Sequence, residues 1–504
     1  MVGFEVLPCC TLGPESALPW ERPESNTKKV LPPVRQTVLY ERVAALLAWA
    51  GVIDRERFDR TVSLSWPRIV TGFAIMSKQT VDLALVGWAV GSAAVAGLAY
   101  AYAYWTLGKF VGIGLAGGAV ALVSQNYGGD ETGRASLVVK QGVWVALAIV
   151  VPVAAAYAVF AEPLIRVLGS KPVPVGHGVT YLVIVAPALA FEFLNLLMSR
   201  TYAGVGDTFT PMVVRATGGV LNIVLSVAFV LWGLGVAGVA LGTLVSTGVV
   251  TVVLGWGVLG GSYPVPGMQA SPVTFSFAGP QLDRELGTQL VTVSAPLIAR
   301  GIGEMAIIFP LLWIAGTFGP VVVAAFEVGR RVRDLLVSFS WGFSTASSTL
   351  VGQELGGGDE TEAAAYGGAI ARLSLVVHAL AAAAVVLAAP WVARLFVSQP
   401  GELARATVFV RVSAVAAVLL GANGALVGAL RGAGDTRWPF VATVVGQYAV
   451  ALPVAVVGLF TPLGVAGLYG ALVLGAGVPA IINIWRYRSG RWKVVSREYR
   501  PSGH

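Results

Sequence analysis

AGVGDT at residues 203–208 and RGAGDT at residues 431–436 are two copies of one sequence motif. Both contain Gly-x-Gly-Asp-Thr, and in both a proline follows three residues after the threonine. The copies lie 228 residues apart (431 − 203). A long internal repeat of this kind indicates that one folding unit is used twice in the chain.

The composition around these motifs is typical of a membrane protein. Hydrophobic residues make up 56% of the 504 residues and charged residues only 12%, whereas soluble proteins contain about 25% charged residues. Apolar stretches of about 20 residues, the length of a membrane-spanning helix, recur along the chain. The polar–apolar alternation of a membrane β-barrel is not seen. Since a lipid-exposed backbone must satisfy its own hydrogen bonds, the sequence predicts an all-α membrane protein.

Twelve membrane spans are predicted, six in each half of the chain. The predicted units are an N-terminal tail (1–62), a first lobe (63–257), a linker rich in Gly and Pro (258–288), a second lobe (289–486) and a basic tail (487–504). Because each repeat has an even number of spans, the two lobes are related by a pseudo-two-fold axis along the membrane normal.

The basic residues predict the orientation. Lys and Arg are concentrated in both tails and in the loops on the same side, which places both termini in the cytoplasm of a multi-pass plasma-membrane protein. The net charge of +8 is therefore attributed to cytoplasmic loops, and no nucleic-acid partner is expected. Within the N-terminal tail, residues 38–52 fit either a helix on the membrane surface or part of a mobile tail.

Each repeated motif is predicted to be a turn that starts a helix. Glycines permit the tight reversal, and Asp207 and Asp435 are positioned to cap the next helix. Pro211 and Pro439 then fall in its first turn, where proline is tolerated.

Two loop motifs, each present twice, resemble those of MATE (multidrug and toxic compound extrusion) transporters. VSQNYGGD (123–130) and VGQELGGGD (351–359) are similar to one family loop, and LRGAGDT (430–436) is similar to another. The resemblance implies two six-helix lobes around a central cavity in a monomer. It also implies export of amphipathic or cationic organic compounds, driven by inward H+ or Na+, with no other cofactor.

The resemblance also implies a site for the coupling ion in the first lobe. The matching residues are Asp82 in span 1, Asn222 and Ser226 in span 5, and Thr243 in span 6. Many prokaryotic relatives carry Asp where this chain has Ser226, so the identity of the coupling ion stays open.

Asp82 is also a candidate functional residue on physical grounds. A charged Asp at the centre of a membrane helix costs about 3 kcal/mol, so it usually has a function or a partner. One carboxylate beside amide and hydroxyl oxygens suits either a proton or a hard cation. The alternative is a neutralising i,i+4 ion pair with Lys78.

Other charges within the spans have two interpretations, cavity residues or ion pairs inside a lobe. They include Glu192, Arg215, Arg300, Glu304 and Glu327. Arg300 and Glu304 have i,i+4 spacing and are candidates for mutual neutralisation. The abundance of Arg leaves zwitterionic and anionic substrates open. A group of aromatic residues near the start of span 2, Tyr102 among them, is interpreted as an interface anchor.

Several functional classes are disfavoured. The three histidines are isolated, so no metal site is predicted. The glycine-rich loops lack the Lys-Ser/Thr of phosphate-binding loops, which argues against ATP-driven transport. The main hypothesis is a secondary antiporter of small molecules, and the alternative is a flippase for lipids or lipid-linked saccharides. A third hypothesis is a membrane-embedded enzyme, but no set of catalytic residues is seen in the sequence.

Overall fold

The structure is a computed structural model that describes residues 38–90, 92–168, 172–394 and 400–499, and no β-strand occurs within these ranges. The helices are α1 (Val38–Trp49), α2 (Arg55–Ala89), α3 (Ser92–Gly128), α4 (Thr132–Val159), α5 (Ala161–Leu168), α6 (Pro172–Gly204), α7 (Phe209–Phe229), α8 (Gly235–Val258), α9 (Arg284–Ala306), α10 (Ile308–Thr317), α11 (Pro320–Gly356), α12 (Glu360–Arg394), α13 (Pro400–Gly432), α14 (Arg437–Val444), α15 (Leu452–Phe460), α16 (Ala466–Arg488) and α17 (Arg491–Arg497). A π-helical stretch, Val445–Ala451, joins α14 to α15, whereas Val230–Leu234, between α7 and α8, contains a kink at Gly233.

These helices provide the twelve predicted spans. Nine segments of the described chain are long and apolar enough to cross a membrane, and one of them, Phe209–Val258, contains both α7 and α8. The chain reverses between these two helices at Gly233 and Gly235, whose φ angles of 86° and 50° favour glycine. The long helices α2 and α11 complete the set, with six spans before residue 259 and six after residue 283.

Small residues allow the helices of each lobe to pack closely. In the first lobe α3 packs on α6, and in the second α11 packs on α13. A Cβ added to Gly108 would lie 2.8 Å from the Leu189 side chain, and one added to Gly428 would lie 2.4 Å from the Ser344 carbonyl oxygen. Close packing at glycine is a main source of helix association in membranes.

The two repeated loop motifs meet at one end of the molecule, here called the motif side. Gln125 Nε2 donates to the carbonyl oxygen of Gly432 at 2.6 Å, and Gln353 Nε2 donates to that of Gly204 at 3.0 Å. Both the donors and the acceptors are repeat counterparts, 228 residues apart. We call this reciprocal pair of hydrogen bonds the motif-side junction; it joins the lobes in the state described.

The first helix of the described residues and the beginning of α2 pack against the second lobe. Ala44 and Phe58 belong to the same buried apolar cluster as Phe343 and Trp492. The interpretation of residues 38–52 as a mobile tail is therefore wrong for α1, which is a helix with Ala44 and Leu47 buried against protein, although Leu46 and Trp49 stay exposed.

Ion pairs reinforce this contact. Arg57 pairs with Glu362 at 2.6 Å, and Arg60 pairs with Glu354 at 3.0 Å. Since α2 begins at Arg55, its first two turns lie within the range predicted as a tail.

The linker runs along the motif side as residues 259–283. Lys140 Nζ donates to the Ala278 carbonyl oxygen at 2.7 Å, and Gln141 Nε2 donates to that of Gln281 at 2.9 Å. The linker ends at Asp283, which caps α9 by accepting from Leu286 N at 2.9 Å.

The aspartates of the repeated turn behave differently in the two lobes. Asp207 accepts from Thr210 N at 3.0 Å and caps α7 as predicted. Asp435 instead accepts from Arg486 Nε at 2.6 Å, and no backbone N–H of α14 donates to its carboxylate among the described residues. The prediction for Asp435 was wrong because a buried arginine of α16 takes its carboxylate.

Candidate functional site

Asp82 lies fully buried where α2, α3 and α7 converge. Its Oδ2 accepts a hydrogen bond from Tyr102 OH at 3.2 Å, and its Oδ1 accepts one from Ser226 Oγ at 3.3 Å. Both contacts are long for hydroxyl donors, which usually lie about 2.7–2.8 Å from the acceptor. The carboxylate is therefore held in place but has weak direct partners.

Asn222 and Thr243 adjoin this carboxylate. Asn222 stands one helical turn before Ser226 on α7, and its Nδ2 donates to Thr243 Oγ1 of α8 at 3.2 Å. Helix α8 can approach because of Gly242, where an added Cβ would lie 2.5 Å from Ser226 Oγ. The four residues predicted from the family resemblance thus come together, all of them buried.

One oxygen of this group has no hydrogen bond. Asn222 Oδ1 is buried without a partner among the described residues, and an unsatisfied buried acceptor is unfavourable. With the Asp82 carboxylate and the hydroxyls of Ser226 and Thr243, it forms an all-oxygen donor set. Such a set fits a hard monovalent cation, and the carboxylate alone fits a proton.

Sequence reasoning missed the role of Tyr102. It was grouped with interface anchors, but its hydroxyl donates to Asp82 and its ring lies against Tyr181, with centroids 5.4 Å apart. The sequence contains a pattern that could have indicated this role, because residues 100, 102 and 104 are all tyrosines, each two residues from the next. Successive members of that series lie on nearly opposite faces of a helix, so they cannot all face the membrane interface.

Lys78 makes no direct salt bridge with Asp82, since the two described side chains interact electrostatically but lie more than 4.0 Å apart. Lys78 instead lines a cavity of about 70 Å³ in the first lobe, together with Lys109, Glu192 and Arg215.

The charged residues of that cavity form a compact network. Glu192 Oε1 lies 3.0 Å from Arg215 Nη2 and 3.3 Å from Lys109 Nζ, so that α6, α7 and α3 are joined. The Glu192 and Arg215 side chains are 9% and 8% exposed. Glu192 and Arg215 form an ion pair and both line this first-lobe cavity, and a role in the transport cavity stays a prediction.

Among its described side chains, the second lobe holds no copy of the Asp82 group. Arg300 pairs with Glu304 at 2.6 Å and donates through Nε to Thr443 Oγ1 at 3.1 Å. The Glu327 side chain lies outside the described ones. At the repeat spacing of 228, Asn222 and Ser226 correspond to Val450 and Val454. These valines have no oxygen donor in the side chain, so the chemistry of the two lobes differs.

Comparison with known proteins now decides the family. Residues 67–228 and 296–457 each match the MatE family model, and the matched ranges start 229 residues apart (296 − 67), close to the repeat period. The chain belongs to the MATE family. It is an all-α membrane protein with twelve spans in two six-helix lobes.

Named relatives and solved structures agree with this assignment. "Probable multidrug resistance protein NorM" of Bradyrhizobium diazoefficiens is 27% identical over 447 residues, which cover 86% of this chain and 93% of that protein. "Multidrug resistance protein PmpM" of Pseudomonas aeruginosa is 25% identical over 451 residues, covering 88% and 93%. A solved outward-facing MATE transporter of the MOP superfamily has a TM-score of 0.81 at 20% identity, covering 88% of this chain and 97% of that chain.

Proposed function

We propose that this MATE protein is a secondary antiporter that exports amphipathic organic compounds in exchange for inward H+ or Na+. The observation that carries the proposal is the buried Asp82 carboxylate with the oxygens of Asn222, Ser226 and Thr243 around it. The multidrug resistance names of its relatives support drug efflux and favour it over the flippase alternative.

Helix α2 is suited to couple ion binding to the position of the lobes. Asp82 lies on its first-lobe side, while an α2 residue nearer the motif side, Ile69, lies against Gly342 of α11, where an added Cβ would come within 2.6 Å. A bound proton or cation neutralises Asp82 and changes the contacts of α2 with α3 and α7. A ligand shifts a conformational equilibrium only if it binds one conformation more tightly than the other. The ion site is built from residues of different helices, so a relative movement of these helices changes its affinity for the ion.

Because this chain has Ser226 where many relatives carry a second carboxylate, the site has only one negative charge. One proton neutralises it fully, and so does one Na+. The unpaired Asn222 Oδ1 could coordinate a metal cation or accept a hydrogen bond from a protonated carboxyl group. Both ions therefore remain part of the proposal, and the experiment treats them separately.

We further propose a monomer in the cell membrane, oriented with both termini and the motif side in the cytoplasm. In this orientation the motif-side junction closes the path to the cytoplasm. Cys9 and Cys10 are the only native cysteines, so in a variant with both replaced by Ser, single cysteines introduced at Gly133 and Gly368 report their side by labelling with a membrane-impermeant maleimide.

Transport in proteoliposomes tests the function. Vesicles that contain the protein are given an outward-directed or inward-directed H+ gradient, or a Na+ gradient at equal pH, and uptake of an amphipathic fluorescent drug is followed. Accumulation that depends on one gradient and stops when an ionophore dissipates it supports antiport. Uptake that is equal with and without both gradients contradicts it. Transbilayer movement of a labelled lipid in the same vesicles would instead support the flippase alternative.

A further inference from the structure

Two adjoining cavities in the molecule are lined by cations. The first, in the N-terminal lobe, contains Lys78, Lys109 and Arg215. The second, at the boundary between the lobes, contains Arg68, Arg200 and again Arg215, with Thr345 of the second lobe on its wall. We call these five basic residues the cationic cleft.

The cationic cleft has few carboxylates to balance it. Glu192 is the acidic residue that lines the first cavity, and it is already shared by Arg215 and Lys109. The second cavity has no acidic lining residue among the described ones. The nearby Asp82 faces Tyr102 and Ser226 and belongs to the coupling site.

Two arginines of the cleft have no carboxylate partner among the described residues. Arg200 Nη1 donates to the Thr345 hydroxyl at 2.6 Å. Arg68 lies over the Trp341 ring, 5.8 Å from its centroid, and its Nε is buried without a hydrogen-bond partner. Both side chains therefore have donors available for a ligand.

The second lobe adds another cation at this boundary. Arg431 donates only to neutral oxygens, the Ser344 carbonyl at 3.0 Å and the Ser348 hydroxyl at 3.3 Å. Arg200 donates to Thr345, the residue after Ser344, so cations of the two lobes bind neighbouring residues of α11. Cations from both lobes thus converge on this boundary, where the second cavity has no acidic lining residue among the described ones.

Buried charges without counter-charges are strongly unfavourable, and an anionic ligand removes this penalty. The guanidinium group matches the planar geometry of carboxylate and phosphate with paired donors. Aromatic surface lies beside the charges, with Trp105 on the wall of the first cavity and Trp341 38% exposed near Arg68. The combination suits an amphipathic molecule with an acidic group and an apolar ring or chain.

We propose that the cationic cleft binds the anionic group of the transported compound, so that the substrates are amphipathic organic anions or zwitterions. Arg68 and Arg200 bind the carboxylate, phosphonate or sulfonate, and the tryptophans contact the apolar part. This inference rests on the proposed function and names the substrate class of the same protein. A substrate that carries only positive charge meets repulsion from all five residues.

Binding to three matched probes tests the proposal. Pyrenebutyrate, pyrenebutanol and pyrenebutyl-trimethylammonium share one ring and one chain length and differ in the charge of the end group. Each is titrated by fluorescence into the full-length protein in nanodiscs of a zwitterionic lipid, with empty nanodiscs subtracted. We expect pyrenebutyrate to bind roughly tenfold more tightly than pyrenebutanol, because its carboxylate gains one charge-assisted hydrogen bond that the alcohol cannot form. Equal affinities, or tighter binding of the cation, would overturn the proposal.

Variants assign the binding to the cleft. Arg68→Gln and Arg200→Gln are each expected to lose about tenfold in pyrenebutyrate affinity while pyrenebutanol binding stays unchanged. The control is Arg166→Gln, because Arg166 is 54% exposed and pairs with Glu162 far from the cleft. Full carboxylate affinity in both cleft variants would overturn the assignment. Two independent positions, and the retained alcohol binding, separate the effect from misfolding.

Competition separates the two sources of such an anionic group. Displacement of pyrenebutyrate by octanoate identifies free organic acids as ligands. Displacement by dihexanoyl phosphatidylglycerol, without displacement by dihexanoyl phosphatidylcholine, identifies the headgroup of an anionic lipid. Displacement by neither anion contradicts the anion site. Because binding is measured without any gradient, failure of ion-driven transport in the earlier assay would leave these results intact.

Discussion

Glu192 is the residue on which the charge balance of the first lobe depends. Its carboxylate is shared by Arg215 at 3.0 Å and Lys109 at 3.3 Å, and both partners come from other helices. Removing one member of a buried ion network leaves the others uncompensated, which is worse than removing a pair.

We therefore expect Glu192→Gln to destabilise the protein by about 3 kcal/mol, because two buried cations lose their counter-charge. The double variant Glu192→Gln with Arg215→Gln removes one charge of each sign and is expected to regain part of that loss. Unfolding of the detergent-solubilised protein, followed by intrinsic fluorescence, measures both. A double variant less stable than the single one would show that Glu192 is not the counter-charge of Arg215.

At the scale of single residues, the sequence predicted the four residues that the structure brings together around Asp82, whereas their neighbours were predicted poorly; the coupling role itself stays a prediction. Asp82, Asn222, Ser226 and Thr243 were found because each occupies a motif position of the family. Tyr102 was missed because its position has no such motif. The absence of a salt bridge between Lys78 and Asp82 was also unpredictable, since i,i+4 spacing permits a pair but does not fix the side-chain rotamers.

Among the helices, the ends of α3 and α11 control how closely the lobes approach. A Cβ added to Gly128 would lie 2.1 Å from the Gln353 carbonyl oxygen, and one added to Gly356 would lie 1.9 Å from that of Gln125. These two glycines are repeat counterparts and are in contact with backbone, which cannot move aside as a flexible side chain can.

We expect Gly356→Ala to force the two helices apart and to lower transport at least several-fold, because overpacking of this kind typically costs about 1–3 kcal/mol. Gly133→Ala is the matched control, since an added Cβ there meets nothing within 4 Å. Initial rates in proteoliposomes compare the two variants at equal reconstituted protein. Wild-type transport by Gly356→Ala would contradict a close approach of these helices during the cycle.

For whole elements, periodicity and hydropathy predicted the twelve spans and the turn at each repeated motif. Helix α1 was predicted only as a segment, because its docking depends on long-range contacts, such as those that bury Ala44 in one cluster with Phe343 and Trp492. The sequence also did not predict that Asp207 and Asp435 have different partners. Arg486, which binds Asp435, lies 51 residues further along the chain.

The molecule as a whole is held in its described state by the motif-side junction. Gln125 and Gln353 each donate to a glycine carbonyl of the opposite lobe. The pseudo-two-fold symmetry of the fold makes the two contacts equivalent, so opening on this side must break both of them.

We expect the double variant Gln125→Ala with Gln353→Ala to shift the population toward a state open on the motif side. Each buried amide hydrogen bond contributes about 1 kcal/mol, so the pair changes the ratio of states roughly tenfold or more. Spin labels at positions 133 and 368, with Cys9 and Cys10 replaced by Ser, report the separation of the lobes by double electron–electron resonance. Gln141→Ala, which removes a linker contact, is the control.

A longer distance component in the double variant, absent in the control, would agree with the junction as a closing contact. Identical distance distributions in the double variant and the parent protein would contradict it.

The central claim is that Asp82 couples ion entry to export, and one comparison tests it most directly. Asp82→Asn and Asp59→Asn make the same change on α2, but Asp59 lies outside the coupling group and pairs with Arg55. In proteoliposomes with the gradient that drives the wild-type protein, we predict that Asp59→Asn accumulates substrate like the wild type. Asp82→Asn is predicted to bind substrate but to show no gradient-driven accumulation. Accumulation by Asp82→Asn at the wild-type rate would contradict the claim.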